Sequence, residues 1–276
     1  MATKFHIRSN SFPNESHPCT SRVQEGLNKL RTFEATSTSS SESIVSGLSF
    51  LEDLYISLAD LLNVPSTQKA ISHHQGDKSF EELLDGSIKV LDVCGITRDT
   101  VMQMKENVQS LHSALRRRKA DSCIEKSVSE YNSFSKKTRK NLNKLITSLK
   151  HIQSKLGASP LLNQLQDASI LREAIAVNMS VFQSLLSFLA GPPSKSKATK
   201  WMNKLIHKEH NSENLNELQL VDSALSTLLN DGSSMQIAYG RLEALEAAIE
   251  SIEIGLENLF RVMIKTRASL LNIMTQ

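Results

Sequence analysis

The C-terminal part of the chain carries its most regular apolar pattern. Over residues 235–273, apolar side chains recur at the two alternating heptad positions, and only Thr266 interrupts the series. A proline-free pattern of this length predicts a helix that belongs to a coiled coil or a long bundle. A helix of roughly 60 Å does not stand alone in water, so other helices must cover its apolar seam. The residues expected to form the buried seam are Leu242, Leu245, Ile249, Ile252, Leu256, Leu259 and Met263.

The preceding segments also carry apolar residues at helical spacing, and the helices they predict can cover the seam. Apolar residues three and four positions apart predict helices over about 21–33, 42–62, 121–156, 160–190 and 214–230, with a shorter one around Trp201. The polar residues 67–74 are interpreted as a short helix or a loop. Two helices are predicted between residues 77 and 118, because Cys94 and Gly95 resemble a helix end and Thr97 a helix cap. No segment alternates as a strand would. The predicted fold class is all-α, an elongated bundle of long helices that are mostly antiparallel because most links are short.

The N-terminal segment lacks this periodicity. Residues 1–20 are polar, include Pro13 and Pro18, and predict a disordered arm, whereas residues 21–276 predict a single helical domain. The serine- and threonine-rich run 36–43 is interpreted as a flexible linker inside that domain. Residues 174–193 are long enough to span a membrane, but their polar side chains favour a buried bundle helix.

Composition supports the helical interpretation and indicates a compartment. Ten glycines, six prolines and 5% aromatic residues among 276 argue against a sheet protein. The three cysteines are scattered, which favours a reducing compartment. Because no apolar secretory signal is present, we expect a cytoplasmic protein, with peripheral membrane attachment as an alternative. The serine-rich, acid-poor N-terminus leaves a plastid transit peptide as a minor alternative.

Basic residues crowd one predicted helix. Between residues 112 and 156, twelve basic side chains stand against three acidic ones, a local balance of +9 in a chain of net charge +3. The basic surface we single out consists of Lys136, Lys137, Arg139, Lys140 and Lys144. It could be a solvated face, balanced within the fold by the glutamates of the final helix, or a contact for an anionic membrane. Nucleic acid is disfavoured because no aromatic residues interleave with the basic ones and no nucleic-acid-binding module is recognised. The candidate balancing residues are Glu243, Glu246, Glu250, Glu253 and Glu257.

A short motif in the arm predicts a regulated contact. Arg8 stands three residues before Ser11, and Pro13 follows two residues after it. Once phosphorylated, Ser11 would resemble a ligand of 14-3-3 proteins, which hold phosphoserine with a cluster of arginines. The alternative is that these residues only keep the arm soluble.

No catalytic or cofactor motif accompanies these features. His207 and His210 are one helical turn apart, but two histidines do not complete a metal site and the sequence indicates no third ligand. The glycines are dispersed rather than gathered in a phosphate-binding loop, and the common hydrolase and metalloprotease motifs are missing. We therefore expect no enzyme and no cofactor; an enzyme without a visible site is the alternative.

Three stretches resemble one plant family. They are residues 8–13 (RSNSFP) followed by His17 and Pro18, residues 82–95 (ELLDGSIKVLDVCG) leading to 115–119 (LRRRK), and residues 259–272 (LFRVMIKTRASLLN). Together they are similar to the plant-specific BYPASS-like family, also described as domain of unknown function 241. The resemblance implies a plant protein with one all-helical domain, a role in root and shoot development, and no catalytic residues. We thus expect a non-enzymatic interaction or regulatory factor; the alternative is a membrane-associated trafficking or anchoring factor that uses the basic helix 126–155.

Overall fold

The computed structural model describes residues 17–36, 40–73, 76–117, 121–157, 166–191, 215–230 and 235–275. All the regular secondary structure in these ranges is helical, which confirms the predicted fold class. Arg8, Ser11 and Pro13 lie outside the described residues, as do Trp201 and the two histidines at 207 and 210. The helices are α1 (Pro18–Thr36), α2 (Ser41–Leu62), α3 (Pro65–Ser72), α4 (Lys78–Arg116), α5 (Asp121–Gly157), α6 (Gln166–Ala190), α7 (Glu217–Asn230) and α8 (Met235–Thr275).

Helix α8 is the centre of the bundle. Each of the seven predicted seam residues is buried, with at most 3% of its surface exposed. Helices α2 and α4 cover the seam as the main neighbours, and α7 also packs against it. The polar interruption, Thr266, is buried too; its hydroxyl donates to the Val262 carbonyl at 2.8 Å and lies 3.2 Å from the Tyr55 carbonyl. The chain's own earlier helices therefore cover the seam, as the apolar pattern predicts.

Helix α4 is one continuous helix of 39 residues where two were predicted. The predicted helix end at Cys94 and Gly95 is wrong, and Thr97 does not act as a cap. The Thr97 hydroxyl instead donates to the Val93 carbonyl at 2.7 Å, a bond made inside a helix. Val93, Cys94 and Val101 belong to one buried face, and this packing offsets the cost of a helical glycine, about 1 kcal/mol.

Helix α6 is apolar along most of its length and lies inside the bundle. Residues 168–190 are long and apolar enough to cross a membrane, yet 67% of the most apolar window is buried by other helices. Asn178 in its middle is fully buried and donates to the Tyr55 hydroxyl at 2.8 Å. The helix thus has the packing of a core helix, as its polar residues predict.

Helix α5 lies on the outside of the bundle, where it packs on α6 and α4. Its contact stripe is buried, with Leu145 and Ile152 half-buried beside it. Only a short link joins α4 to α5, so the two helices run antiparallel. The buried stripe consists of Ile124, Val128, Tyr131, Leu142 and Leu149.

Candidate functional site on α4 and α5

The outward side of α5 is rich in lysine. Residues 131–157 contain seven basic residues and no acidic one. Lys136, Lys140 and Lys144 follow each other at every fourth position and so lie along one side of the helix. We define the α5 lysine face as the exposed residues Lys136, Lys137, Lys140, Lys144, Lys150 and Lys155.

Arg139 does not belong to this face, although the sequence places it there. Its guanidinium is directed towards α7, with Nη2 3.3 Å from Asp222 Oδ2, and only 30% of its side chain is exposed. Nη2 also lies close to Gly191, where α6 ends; a Cβ there would be 3.3 Å away. Burial raises the pKa of Asp222, and the charge of Arg139 opposes this. Arg139 therefore ties α5 to α7, and the predicted basic surface keeps its four lysines.

The glutamates of α8 pair with α4 and not with α5. Four of the five candidate glutamates lie along the edge where α8 meets α4, while contact between α5 and α8 is at most marginal. The interpretation that the final helix balances the basic helix is therefore wrong. The pairs are Arg98–Glu257 at 3.2 Å, Lys105–Glu253 at 2.7 Å, Lys105–Glu250 at 3.9 Å and His112–Glu246 at 3.0 Å.

The lysines of the α5 lysine face consequently form no ion pair within the described bundle. Among the residues described, no carboxylate approaches a nitrogen of this face within 4.0 Å. The nearest related pair on α5 joins Lys126 to Glu130 at 4.0 Å, on the preceding turns of the helix. The α5 lysine face is thus cationic and open to solvent.

Helix α4 carries a row of acids beside this face. Asp85, Asp92, Asp99 and Glu106 recur every seven residues and are all exposed. A seven-residue spacing drifts by only about 20° per repeat around an α-helix, so these residues stay on one side. We call them the α4 acid row. This row was not predicted, although its seven-residue spacing is visible in the sequence.

An apolar groove separates the two charged rows. It has a volume of about 280 Å³ and lies between α4 and α5. Ile96 is its most prominent wall, because half of this large apolar side chain is exposed. The α4–α5 surface therefore consists of the α4 acid row, this groove and the α5 lysine face. The groove is lined by Ile96, Thr100, Asn141, Leu142, Lys144, Leu145 and Ser148.

Features of an enzyme or metal site are weak in the described residues. No group of three or more His, Cys, Asp or Glu residues there could hold a metal ion. A mostly apolar cleft near Tyr55, Thr266 and Arg267 has a volume of about 40 Å³, room for about one or two water molecules. Burial raises the pKa of the Cys94 thiol to about 12, so it is not a reactive nucleophile. The α4–α5 surface is therefore the strongest candidate site.

A family model described as Protein BPS1 matches residues 47–273 of the chain. Comparison with curated proteins gives no significant match, and comparison with solved structures gives none either. The matched range runs from within α2 almost to the end of α8 and contains the whole α4–α5 surface. It covers most of the chain and agrees with the resemblance carried by residues 82–95 and 259–272. The chain belongs to the BYPASS-like family, which the Protein BPS1 model describes.

Proposed function

We propose that the protein is a non-enzymatic interaction factor in root and shoot development, and that its α5 lysine face binds an acidic protein partner. Membership of the Protein BPS1 family supports the coarser part, a regulator of plant development whose molecular function is open. The observation that carries the finer part is that, among the described residues, no lysine of the α5 lysine face forms an ion pair. We place this activity in the cytoplasm.

A purely structural face would not need this arrangement of charges. Lys136, Lys140 and Lys144 are like-charged neighbours at every fourth position, and each such pair destabilises a helix by about 0.2–0.5 kcal/mol. The same bundle supplies glutamates to the cations of α4, so paired charges are available to this fold. A row of unpaired lysines is better explained by an anionic partner, which would be steered to the surface by its charge.

An anionic membrane is the second candidate for this face. Lysines 136–155 extend over roughly 30 Å of helix, and each basic residue near such a surface contributes about 1 kcal/mol. The α4 acid row argues against it, because a flat bilayer that covered the α4–α5 surface would also approach Asp92 and Asp99. A protein partner with its own charge pattern avoids this repulsion and is therefore favoured.

A matched pair of variants tests the proposal. K136E/K140E reverses two charges of the α5 lysine face, and K69E/K265E reverses two exposed lysines on α3 and α8. The proteins captured from plant tissue at physiological salt are compared, together with binding to vesicles of phosphatidylserine. We expect K136E/K140E to lose acidic protein partners that the wild type and K69E/K265E both retain, with no vesicle binding by any of them. Identical partners for both variants would overturn the proposal, and vesicle binding lost only by K136E/K140E would replace it by the membrane alternative.

We also propose that phosphorylated Ser11 binds a 14-3-3 protein. Phosphorylation adds roughly −1.5 to −2 charge and three acceptor oxygens beside Arg8. The proposal rests on the sequence motif, since the arm lies outside the described residues. A synthetic peptide of residues 3–16, with and without the phosphate, is titrated with a plant 14-3-3 protein. We expect only the phosphorylated form to bind, and equal affinity of the two forms would exclude this role for Ser11.

A further inference from the structure

We infer that the α4–α5 surface is self-complementary and pairs two copies of this chain, the α4 acid row of each copy facing the α5 lysine face of the other. The inference deepens the proposed function, on which it rests, by naming a second copy as the acidic partner. Three features support it: two charged rows of opposite sign, an apolar groove between them, and the matching heights of the charges along the two helices.

The charge pattern selects one symmetry for the pair. A two-fold axis that runs parallel to the helices, between α4 and α5, places α4 of one copy over α5 of the other. Both resulting contacts are identical and join acids to lysines, as a closed symmetric dimer requires. A two-fold axis across the helices would instead place α4 on α4 and α5 on α5. Like charges would then face each other, and such juxtapositions are strongly disfavoured at interfaces.

The heights of the charged residues agree with this arrangement. The groove places Ile96 and Thr100 of α4 beside residues 141–148 of α5. A second cleft places Met104 and Val108 of α4 beside residues 131–139 of α5. Rotation about an axis parallel to the helices preserves these heights. It follows that Asp99 faces Lys140 and Lys144 of the second copy, and that Glu106 faces its Lys136 and Lys137.

The groove supplies the apolar centre of the contact. Ile96 is half exposed and lies on the side of α4 nearest the axis. It would meet the groove of the second copy, where Leu142 and Leu145 form part of the wall. An apolar centre surrounded by a charged rim is the usual anatomy of a protein interface. Two helices over about 30 Å of length would bury roughly 1,200 Å² in total, the lower end for stable pairs, so a reversible dimer is expected.

Charge-swapped variants of the full chain test this pairing. One variant, K136E/K140E/K144E, reverses three of the six charges of the α5 lysine face; the other, D92K/D99K/E106K, reverses three of the four charges of the α4 acid row. All substituted positions are exposed, and circular dichroism checks that each variant is folded. Molar mass is measured by light scattering, up to about 100 μM, which covers micromolar dimers. We expect the wild type and the K69E/K265E control to approach twice the chain mass of 30.7 kDa. Each swapped variant alone should remain a monomer, and an equal mixture of the two should recover the dimer.

Other results decide against the pairing. A wild type that stays monomeric overturns it, as does a dimer that either swapped variant retains alone, or a mixture that fails to associate. If a swapped variant does not fold, Ile96→Glu replaces it, and this single change in the groove should also give a monomer. If the wild type is monomeric but K136E/K140E loses another acidic partner, the dimer is excluded and the proposed function stands. If the wild type is monomeric and its partners bind K136E/K140E equally well, the proposed function is excluded as well.

Discussion

Helices α8 and α5 share a sequence pattern but differ in position: α8 lies at the centre of the bundle and α5 on its outside. Both are long, with 41 and 37 residues, and both combine a spaced apolar stripe with a run of charges of one sign. On α8 the glutamates lie where α4 supplies Arg98, Lys105 and His112. On α5 the lysines of the exposed face form no ion pair with the described helices. Whether a run of like charges is paired within the fold or left exposed thus depends on the charges of the helix that packs beside it.

The largest expected loss of stability comes from the buried seam of α8, compared with the exposed side of the same helix. Leu259→Ala should lower the free energy of unfolding by about 2–5 kcal/mol, because it leaves a cavity where Leu259 is fully buried. Ile254→Ala on the same helix is the control, since this side chain is 58% exposed; it should change stability by less than about 0.5 kcal/mol. Urea denaturation measures both. Equal effects of the two changes would mean that the seam is not the centre of the fold.

A smaller loss of stability is expected for Arg139, compared with the neighbouring exposed lysines. Arg139→Ala should cost about 1–2 kcal/mol, between the values for exposed and buried pairs, because both it and Asp222 are about one-third exposed. Lys140→Ala, one position along the helix, should be close to neutral. Denaturant titrations of both variants give the comparison. If Lys140→Ala is as costly as Arg139→Ala, then the lysine face also holds the bundle together.

The same pair gives a pH dependence of stability. Burial raises the pKa of Asp222, so the folded protein binds this proton more tightly than the unfolded chain does. The contribution of Asp222 to stability therefore falls as pH rises through the interval between the ordinary and the raised pKa. Removal of Arg139 raises this pKa further, so Arg139→Ala should show a larger fall that extends to higher pH. Asp222→Asn should lack it, and a pH profile of Asp222→Asn that matches the wild type would contradict the assignment.

The edge between α4 and α8 should give a smaller effect still. Glu253→Gln removes the charge that pairs with Lys105 but keeps a side-chain oxygen that can accept its hydrogen bond, so it should cost only about 0.5 kcal/mol at low salt. The loss should shrink as added salt screens the charges. Thermal unfolding at low and high salt measures it. A gain in stability would show that this edge does not depend on charge pairing.

Local and long-range features of the sequence were not equally informative. The seam of α8 was predictable because its period is repeated over many turns and needs no knowledge of the neighbours. The helix end predicted at Gly95 was wrong, because a glycine is a local signal. Whether the helix continues through it depends on the packing of the whole buried face of α4. Arg139 was misplaced since its partner Asp222 is 83 residues away along the chain. The ion-pair partners of the α8 glutamates could not be predicted either. They depend on which helix packs beside α8, and the spacing of residues in the sequence does not indicate this.

The central claim is that the α5 lysine face takes no part in holding the fold together. The most direct test is the free energy of unfolding of K136Q/K140Q/K144Q, measured in protein dilute enough that association contributes nothing. We expect a stability that is unchanged or higher by a few tenths of a kcal/mol, because two repulsive lysine pairs, 136–140 and 140–144, are removed. A loss above about 1 kcal/mol, larger than solvent-exposed charges support, would contradict it and show that the fold itself uses these lysines.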